Sequence, residues 1–533
     1  PLPPTARQTV TTAALQLAFT RGFETHHQLQ LTSLALCNAC REAVPVRLTF
    51  TDHMPPSLWA LFSPPSTILQ QDIAVVSTSD PQPATTSAWQ HGRGLVRPLL
   101  QGLHVSTDEG GGSSRLSRYQ RVRHVVWVGE NVSIQDVASW PAGLQQLSFL
   151  EEFNQGLTRV RWPSGMRQLV FREGFDQPLE GVDFPMDLET ISLGPHFDQP
   201  VEHVAWPPRL TYLSLGASFN HPIEGATWPS GLTDLIWGDA FDQPVENVRW
   251  PEALQIIELG GTFNHPVEHS AFPLGLFKLG LGKSFNHAVE GLLWPPYVST
   301  LSFGHAFNHP VTGVTWPEGL LEVSFGYAFN KTLLGVEWPP GLQRIAFGFD
   351  FNQTLDGVVW PTGLRQLSLS ESFNLPLDDV SWPQGLLQLD LGDDFNQPLD
   401  DVSLPDGLQQ LYLSVFFNQP VGGVNWPRGL LDLDFGLSFN QPVDGMVWPC
   451  GLRSVCFGRS FNKDVAGVSW PEGLLKVSFG QAFARTLEGH AWPPPSLQVL
   501  ELGSKYHAKH PIDEVALPEG CHVVYGHSSR SDY

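Results

Sequence analysis

The chain has 533 residues and a formal net charge of −23, from 30 Lys and Arg against 53 Asp and Glu. The segment 1–130 holds 10 Lys/Arg and 8 Asp/Glu, so the remainder carries −25 (20 − 45), which disfavours nucleic acids and anionic membranes and favours a basic partner. Five cysteines without regular spacing favour a reducing compartment such as the cytoplasm, and no apolar run approaches the ~20 residues that span a membrane.

Residues 1–124 lack the repeat that organises the rest of the chain, and we predict that they form an N-terminal cap region. Segments 11–20 and 29–43 predict short helices, so the expected cap is small and mixed or helical. A run of Gly, Ser, Asp and Glu near 106–114 predicts a flexible loop.

One motif in this region leaves a chemical alternative open. Cys37 and Cys40 form a CxxC pair, and His26 and His27 precede them. Because no second pair follows, buried helical cysteines explain the motif more simply than a metal site. An enzyme or metal site within residues 1–105 therefore stands only as an alternative.

A single repeat organises the sequence from residue 125. An anchor pair recurs every 22 residues from Trp140–Pro141 to Trp492–Pro493, which gives seventeen anchors because 492 − 140 = 352 = 16 × 22. Proline holds the second place in all seventeen and tryptophan the first place in fourteen, with Phe184, Phe272 and Leu404 as substitutes. A fixed period in this range is the signature of a solenoid, in which each repeat is one coil stacked on its neighbours. We predict a solenoid of about seventeen coils over residues 125–526, with a C-terminal cap from residue 493 and a tail at 527–533.

The coil Trp228–Arg249 shows what the repeat encodes. With Trp228 as position 0, apolar residues fall at positions 0, 4, 7, 9, 13, 17 and 20. The spacing of two between positions 7 and 9 predicts a short strand, and the same spacing between positions 20 and 22 predicts a second extended segment. Glycine at position 10 predicts a bend, and prolines at positions 1 and 16 exclude a long helix. The predicted fold class is a β-rich solenoid with little helix.

A second recurring pair is phenylalanine at position 13 followed by Asn or Asp at position 14. We expect the phenylalanines to stack as a spine and the asparagines to satisfy backbone groups of a loop that repeats in register. At position 15 histidine replaces glutamine in four coils. A metal site or a pH switch would use such histidines, but glutamine-like hydrogen bonding explains them more simply. They are His221, His265, His287 and His309.

The unit LxxLxLGxxFNQPV resembles the FNIP repeat, a variant of the leucine-rich repeat. Leu144, Leu147, Phe149, Phe153 and Asn154 match its pattern, as does the Gln-Pro that follows in most coils. The resemblance covers residues 140–503, with Trp-Pro where the family has Leu-Pro. It implies a horseshoe-like solenoid of right-handed, leucine-rich-repeat-like coils and a role in protein interaction, and it implies neither catalysis nor a cofactor.

Position 18 carries glutamate in six consecutive coils. Carboxylates ~5 Å apart repel each other by about 1 kcal/mol per pair in water, so their persistence suggests a basic partner or loosely bound cations. A solvated edge that blocks aggregation of the sheet is the alternative. These residues form the predicted acidic edge: Glu180, Glu202, Glu224, Glu246, Glu268 and Glu290.

Positions 6 and 8 should point outward from the concave strand face of the solenoid. Serine is the commonest residue at position 8. Some coils instead carry large apolar or acidic residues at positions 6 and 8, of the kind that form interface centres. Neutral drift at exposed positions is the alternative. The predicted contact residues are Tyr212, Asp234, Ile236, Ile256, Glu258, Asp390, Tyr412, Asp432 and Asp434.

The sequence therefore predicts a protein–protein interaction scaffold rather than an enzyme. Its expected partner is a basic protein, bound through the strand face, the acidic edge or both. No cofactor, nucleic acid or membrane span is expected. A permanent structural or spacer subunit of a larger assembly is the main alternative.

Overall fold

The computed structural model describes most of the repeat region and short parts of the remainder. The described residues are 73–77, 104–106, 122–128, 133–137, 139–149, 153–487, 496–503, 505–506, 510, 515 and 517–525. Several predictions concern residues outside these ranges: segments 11–20, 29–43, 107–114 and 527–533, and the alternative site at His26, His27, Cys37 and Cys40.

The chain divides into two compact units, residues 1–177 with 182–188 and residues 178–181 with 189–533. In the first unit, β1 pairs in parallel with both β2 and β3, and β3, β4 and β5 pair in succession. A 3-10 turn at Ile134–Asp136 follows β3. The strands of this unit are β1 (Ile73–Ser77), β2 (His104–Ser106), β3 (His124–Val128), β4 (Gln146–Phe149) and β5 (Gln168–Phe171).

The second unit is a parallel β-solenoid in which each coil contributes one strand to a continuous sheet. Up to β19, a strand residue pairs with the residue at the same position of the next coil, as Ser454 does with Lys476. From β19 to β21 the spacing is one residue longer, because Lys476 pairs with Val499 and Val499 with His522. The strands are β6 (Thr190–Ser192), β7 (Tyr212–Ser214), β8 (Asp234–Ile236), β9 (Ile256–Glu258), β10 (Lys278–Leu281), β11 (Thr300–Phe303), β12 (Glu322–Ser324), β13 (Arg344–Ala346), β14 (Gln366–Ser368), β15 (Gln388–Asp390), β16 (Gln410–Tyr412), β17 (Asp432–Asp434), β18 (Ser454–Cys456), β19 (Lys476–Phe479), β20 (Val499–Leu502) and β21 (His522–Tyr525).

Each coil turns at three corners. In the coil that begins at Trp228, backbone bonds from position i+3 to position i close the turns at positions 1–4, 10–13 and 17–20, with N···O distances of 3.1, 3.3 and 3.5 Å. The predicted strand forms between the first two turns, which confirms the fold class. The second extended segment, at 248–250, forms no strand. The proline that follows it at position 1 has no N–H to give to a ladder.

The core is a set of side-chain columns that repeat with the coil. Phe219, Phe241 and Phe263 are fully buried, and their rings stack at centroid distances of 6.1 and 6.4 Å with interplanar angles of 5° and 3°. This confirms the phenylalanine spine. The anchor tryptophans stack in the same way, as Trp294 does on Trp316 at 6.4 Å. Burial of each such side chain contributes roughly 1.5–3 kcal/mol of hydrophobic free energy.

Asparagines at position 14 form the predicted ladder. Asn220 Oδ1 accepts the backbone N–H of Asp242 at 2.9 Å, and Asp242 Oδ1 accepts that of Asn264 at 2.9 Å. The bond recurs along the coils until Ala484, whose N–H donates to Asn462 Oδ1 at 3.0 Å and which has no side-chain acceptor to continue the ladder. Each bond satisfies a loop N–H that the strand ladder does not reach.

Position 10 requires glycine in most coils because neighbouring backbones approach closely there. A Cβ built on Gly326 would lie 1.6 Å from the carbonyl oxygen of Gly304 in the preceding coil. No side chain fits such a gap, so the glycine column lets the coils stack where the chain leaves the strand. Within the described residues, no helix is long and apolar enough to cross a lipid bilayer.

Candidate protein-interaction surface

The strand face consists of positions 6 and 8, which flank a fully buried position 7. In β8, Leu235 is 1% exposed while Ile236 is 37% exposed and Asp234 is half-buried. The alternation follows from the strand period of two, because successive side chains point to opposite faces of the sheet. Every predicted contact residue of positions 6 and 8 therefore lies on one face, in one of two columns.

The first group of predicted contact residues lies on three adjacent strands and is named the β7–β9 patch. Tyr212 is in register with Asp234, which is in register with Ile256, and Ile236 is in register with Glu258. The structure thus brings the whole group together. Its members are Tyr212, Asp234, Ile236, Ile256 and Glu258.

One of the two carboxylates in the β7–β9 patch is paired with a cation of the protein, and the other accepts a hydroxyl. Lys278 Nζ lies 2.5 Å from Glu258 Oε1, and the hydroxyl of Thr233 donates to Asp234 at 2.7 Å. Burial raises the pKa of the Tyr212 phenol, and the charge of Asp234 raises it further. Sequence reasoning missed Lys278, which stands at position 6 of the next coil.

The second group lies on three strands further along and is named the β15–β17 patch: Asp390, Tyr412, Asp432 and Asp434. Asp390, Tyr412 and Asp434 are in register at position 8, and Asp432 follows Gln410 at position 6. Asp390 accepts the N–H of Gly392 at 3.1 Å, and Asp434 accepts that of Gly436 at 2.9 Å.

Lysine and arginine are missing from the face positions around the β15–β17 patch. Apart from the patch itself, positions 6 and 8 of β14 to β18 hold glutamine, serine and cysteine only. A side-chain amide contacts one of the carboxylates instead: Gln410 Nε2 donates to Asp432 Oδ2 at 3.3 Å. The patch is therefore a tyrosine among three carboxylates, on strands whose face positions carry neither lysine nor arginine.

The structure does not bring the two patches together. Six strand spacings separate β9 from β15, or roughly 29 Å at ~4.8 Å per strand. The face between them carries another internal ion pair, with Arg344 2.5 Å from Glu322. One ligand can contact both patches only if it extends along the whole intervening sheet.

The acidic edge occupies a different corner of the coil. Position 18 is the first central residue of the turn at positions 17–20, and glycine often follows it at position 19. Because glycine has no side chain, position 19 leaves room for the position-18 carboxylate of the preceding coil. A Cβ on Gly313 would lie only 3.1 Å from Glu290 Oε1. Four of the six glutamates are exposed, and Glu202 and Glu246 are partly buried. They form one continuous column, as predicted from the period.

The four histidines of position 15 act as glutamine replacements. His265 Nε2 lies 3.1 Å from the carbonyl oxygen of Asp242, which is the contact that Gln243 Nε2 makes with Asn220 at 3.2 Å. His221, His287 and His309 make the same contact. Within the described part of the chain, no group of three or more His, Cys, Asp or Glu side chains is arranged to hold a metal ion.

A further exposed feature was missed from the sequence. Position 11 carries Tyr327 and Phe349 in adjacent coils, 50% and 38% exposed, with their rings stacked at 4.6 Å and 4°. Earlier coils have small or polar residues there, such as Ala217 and Gly261. A bulky aromatic directly after the position-10 glycine was the available signal.

Comparison with known proteins supports the repeat type. The model of the FNIP Repeat matches residues 175–218, 373–416 and 395–438. A solved structure entitled a novel circular LRR protein structure, that of CroV588, is 27% identical over 76% of this chain and 70% of that chain, with a TM-score of 0.59. No curated protein sequence matches significantly.

Two more distant structures also align. An internalin of Listeria monocytogenes is 13% identical over 58% of this chain and 86% of that chain, with a TM-score of 0.35. A chain of the Toll–Spatzle complex of Drosophila is 12% identical over 72% of this chain and 57% of that chain, with a TM-score of 0.39. The repeat matches and the similarity to CroV588 lead to one conclusion: this chain contains FNIP repeats, within a solenoid similar to that of a leucine-rich-repeat protein.

Proposed function

We propose that the protein is an interaction scaffold that binds a basic protein partner, with the β15–β17 patch at the centre of the contact. Its solenoid fold is consistent with a protein-interaction scaffold, and leucine-rich-repeat-like folds are typically not enzymes. One observation carries the proposal: Tyr412 lies in register between Asp390 and Asp434, on strands whose face positions carry neither lysine nor arginine. An aromatic anchor among carboxylates suits a basic segment.

The two kinds of residue have different tasks in such a contact. Buried tyrosines are among the residues that dominate binding energy, and Tyr412 would supply this anchor. The surrounding carboxylates add orientation and raise the association rate more than they add affinity. The β7–β9 patch offers Ile236 and Ile256 as a secondary apolar contact, and one of its two acids, Glu258, is already paired with Lys278.

The acidic edge is proposed to steer the partner rather than to anchor it. Its six glutamates lie on turns, and they offer no apolar surface of their own. Charge reversal of Glu202, Glu224 and Glu246 to Lys should weaken binding and flatten its dependence on salt. The reason is that salt screens the attraction between exposed carboxylates and a basic partner, over a Debye length of about 8 Å at physiological ionic strength. Unchanged affinity would remove the acidic edge from the proposal.

Crosslinking mass spectrometry on the full chain in its source extract, at low and high salt, tests the proposal. The variant carries Asp390→Asn, Asp432→Asn and Asp434→Asn. Asparagine keeps the oxygen with which Asp390 and Asp434 accept a glycine N–H. A control of equal charge change carries Glu318→Gln, Glu337→Gln and Asp406→Asn, all at exposed positions on other corners.

Crosslinks from the strand face to a basic protein should be lost in the variant and at high salt, and be kept in the control. Equal crosslinking of the variant and the wild type would contradict the role of the patch. A set of several neighbours that resists high salt would instead identify a permanent structural subunit.

A further inference from the structure

The turn that follows each strand forms a regular column of its own. At this corner, the position-12 N–H donates to the position-11 carbonyl of the preceding coil. Asp350 donates to Tyr327 at 2.8 Å, Ser372 to Phe349 at 3.0 Å, and Asp394 to Glu371 at 2.7 Å. Position-11 side chains are therefore held one coil apart, at the ~4.8 Å spacing of a strand ladder.

Two exposed aromatic rings lie in the middle of this column. Tyr327 covers one face of the Phe349 ring, at 4.6 Å between centroids. The other face of Phe349 is therefore directed along the column, toward the coil that carries Glu371. Large exposed aromatic pairs on a fold held rigid by backbone bonds are typical of binding surfaces, because little entropy is lost when they are covered.

The two ends of the column differ in charge. On the Tyr327 side lie His305, at 6.1 Å between ring centroids, and Lys283, which is paired with Asp239 at 3.3 Å. On the Phe349 side, positions 11 of the next two coils are the exposed acids Glu371 and Asp393. A cation that contacts the rings is thus attracted to the Phe349 end.

We propose that Tyr327, Phe349, Glu371 and Asp393 form a docking site for an arginine side chain in an extended segment of the protein partner. The planar guanidinium stacks on the open face of Phe349, and its N–H groups donate to the carboxylates of the next coils. Lysine fits less well, because its compact ammonium cannot stack flat on a ring and bond to two carboxylates at once.

This site is continuous with the β15–β17 patch, and its link to one partner rests on the proposed function. Asp390 and Asp393 belong to the same coil: Asp390 ends β15, and Asp393 lies in the turn that follows. Burial and the charge of Glu371 raise the pKa of the Asp393 carboxyl, and Asp390 adds to the shift. The acids of the column and of the face thus form one negative region, which an extended chain can follow from Phe349 to Tyr412.

The test uses three fluorescein-labelled peptides on the full chain: four Arg-Gly repeats, four Lys-Gly repeats and four citrulline-Gly repeats. Citrulline keeps the planar shape of arginine and removes its charge. The variant is Tyr327→Ala with Phe349→Ala, which leaves every carboxylate in place. The matched control is Tyr297→Ala, which removes an aromatic that is 71% exposed at another corner. Fluorescence anisotropy measures each Kd.

Wild type and the Tyr297→Ala control should bind the arginine peptide at least several-fold more tightly than the lysine or citrulline peptide. The double variant should bind the arginine peptide roughly 2- to 5-fold more weakly, as expected for the loss of one exposed cation–π contact, and should lose the preference over lysine. Phe349→Tyr should retain binding and Phe349→Leu should lose it, which separates loss of the ring from any misfolding of the double variant.

Equal affinity for arginine and citrulline in the wild type, or the same Kd for the double variant and the Tyr297→Ala control, would overturn the arginine site. So would sedimentation showing that the wild type self-associates through these rings and the double variant does not. The strand-face asparagine variant separates the two proposals. If it loses the basic partner while the double aromatic variant keeps it, the scaffold role stands and the arginine site fails.

Discussion

The β7–β9 and β15–β17 patches occupy the same two columns of one sheet, yet their electrostatics differ. In the first, Glu258 is paired with Lys278 at 2.5 Å, Ile236 is exposed and Ile256 is half-buried. In the second, Asp390 and Asp434 surround Tyr412, and backbone N–H groups are among their partners. The repeat determines where a face residue lies, but its neighbour in the adjacent coil decides whether its charge is available to a partner.

The comparison also separates two kinds of carboxylate. Glu258 is 54% exposed, and its ion pair stabilises the fold by no more than about 1 kcal/mol. Asp434 instead accepts the N–H of Gly436, a buried residue in the bend after β17, so it supports the turn as well as the surface charge. Loss of charge and loss of the acceptor can therefore be tested separately.

The largest effect should come from the spine beneath either patch. Phe241→Ala and Phe417→Ala each remove a fully buried ring and should each cost roughly 3–5 kcal/mol of unfolding free energy, measured by denaturant titration. Similar costs would show that both patches stand on equivalent scaffolds. A clearly smaller cost at one site would mean that the patches differ in packing as well as in charge.

The next effect concerns the acceptor in the β15–β17 patch. Asp434→Ala leaves the N–H of Gly436 without this acceptor and should cost about 1–3 kcal/mol, whereas Asp434→Asn keeps the oxygen and should cost much less. Glu258→Ala in the β7–β9 patch should change stability by less than about 1 kcal/mol. Thermal unfolding compares the three variants. Equal losses for Asp434→Ala and Asp434→Asn would show that charge, not the acceptor, matters.

Removal of Lys278 should make the first patch resemble the second. Lys278→Gln frees the Glu258 carboxylate, and affinity for the arginine peptide should rise about two- to five-fold at low salt, in line with an exposed ion pair of up to about 1 kcal/mol. Lys331→Gln, the removal of a lysine outside the patch, is the control for net charge. A gain equal to that of the control would mean that the pair does not mask the patch.

The smallest effect is a dependence of stability on pH near the β15–β17 patch. Because the pKa of Asp393 is raised in the folded protein, the folded state holds its proton more tightly than the unfolded state does. Stability therefore falls as the pH rises from the unfolded value of about 3.9 through the folded value. Asp393→Asn should slightly raise the Tm at pH 7, and the difference should shrink toward pH 3.

High salt should reduce that Tm difference at pH 7, since the charges of Glu371 and Asp390 contribute to it. A Tm difference that does not change with pH would contradict the charge explanation and point to a packing effect of the substitution.

Much of the architecture could be predicted from the sequence, because a strict period converts sequence columns into spatial columns. The repeat predicts a short strand at positions 7 to 9, which the structure places at positions 6 to 8. The phenylalanine spine and the asparagine ladder follow from recurring residues such as Phe241 and Asn220. The predicted contact residues do lie together on the strand face as two groups. Their binding role remains a prediction, as does that of the acidic edge.

The sequence by itself determined the coil, its length and its buried columns, because each coil buries the same apolar positions against its neighbours. Only the tertiary structure decided which face residues pair across coils, as Lys278 does with Glu258, and that Tyr327 and Phe349 stack in solvent rather than in the core. The physical reason is that burial is set by position within the coil, whereas ion pairs and exposed stacks depend on neighbours in adjacent coils and on how their side chains reach each other.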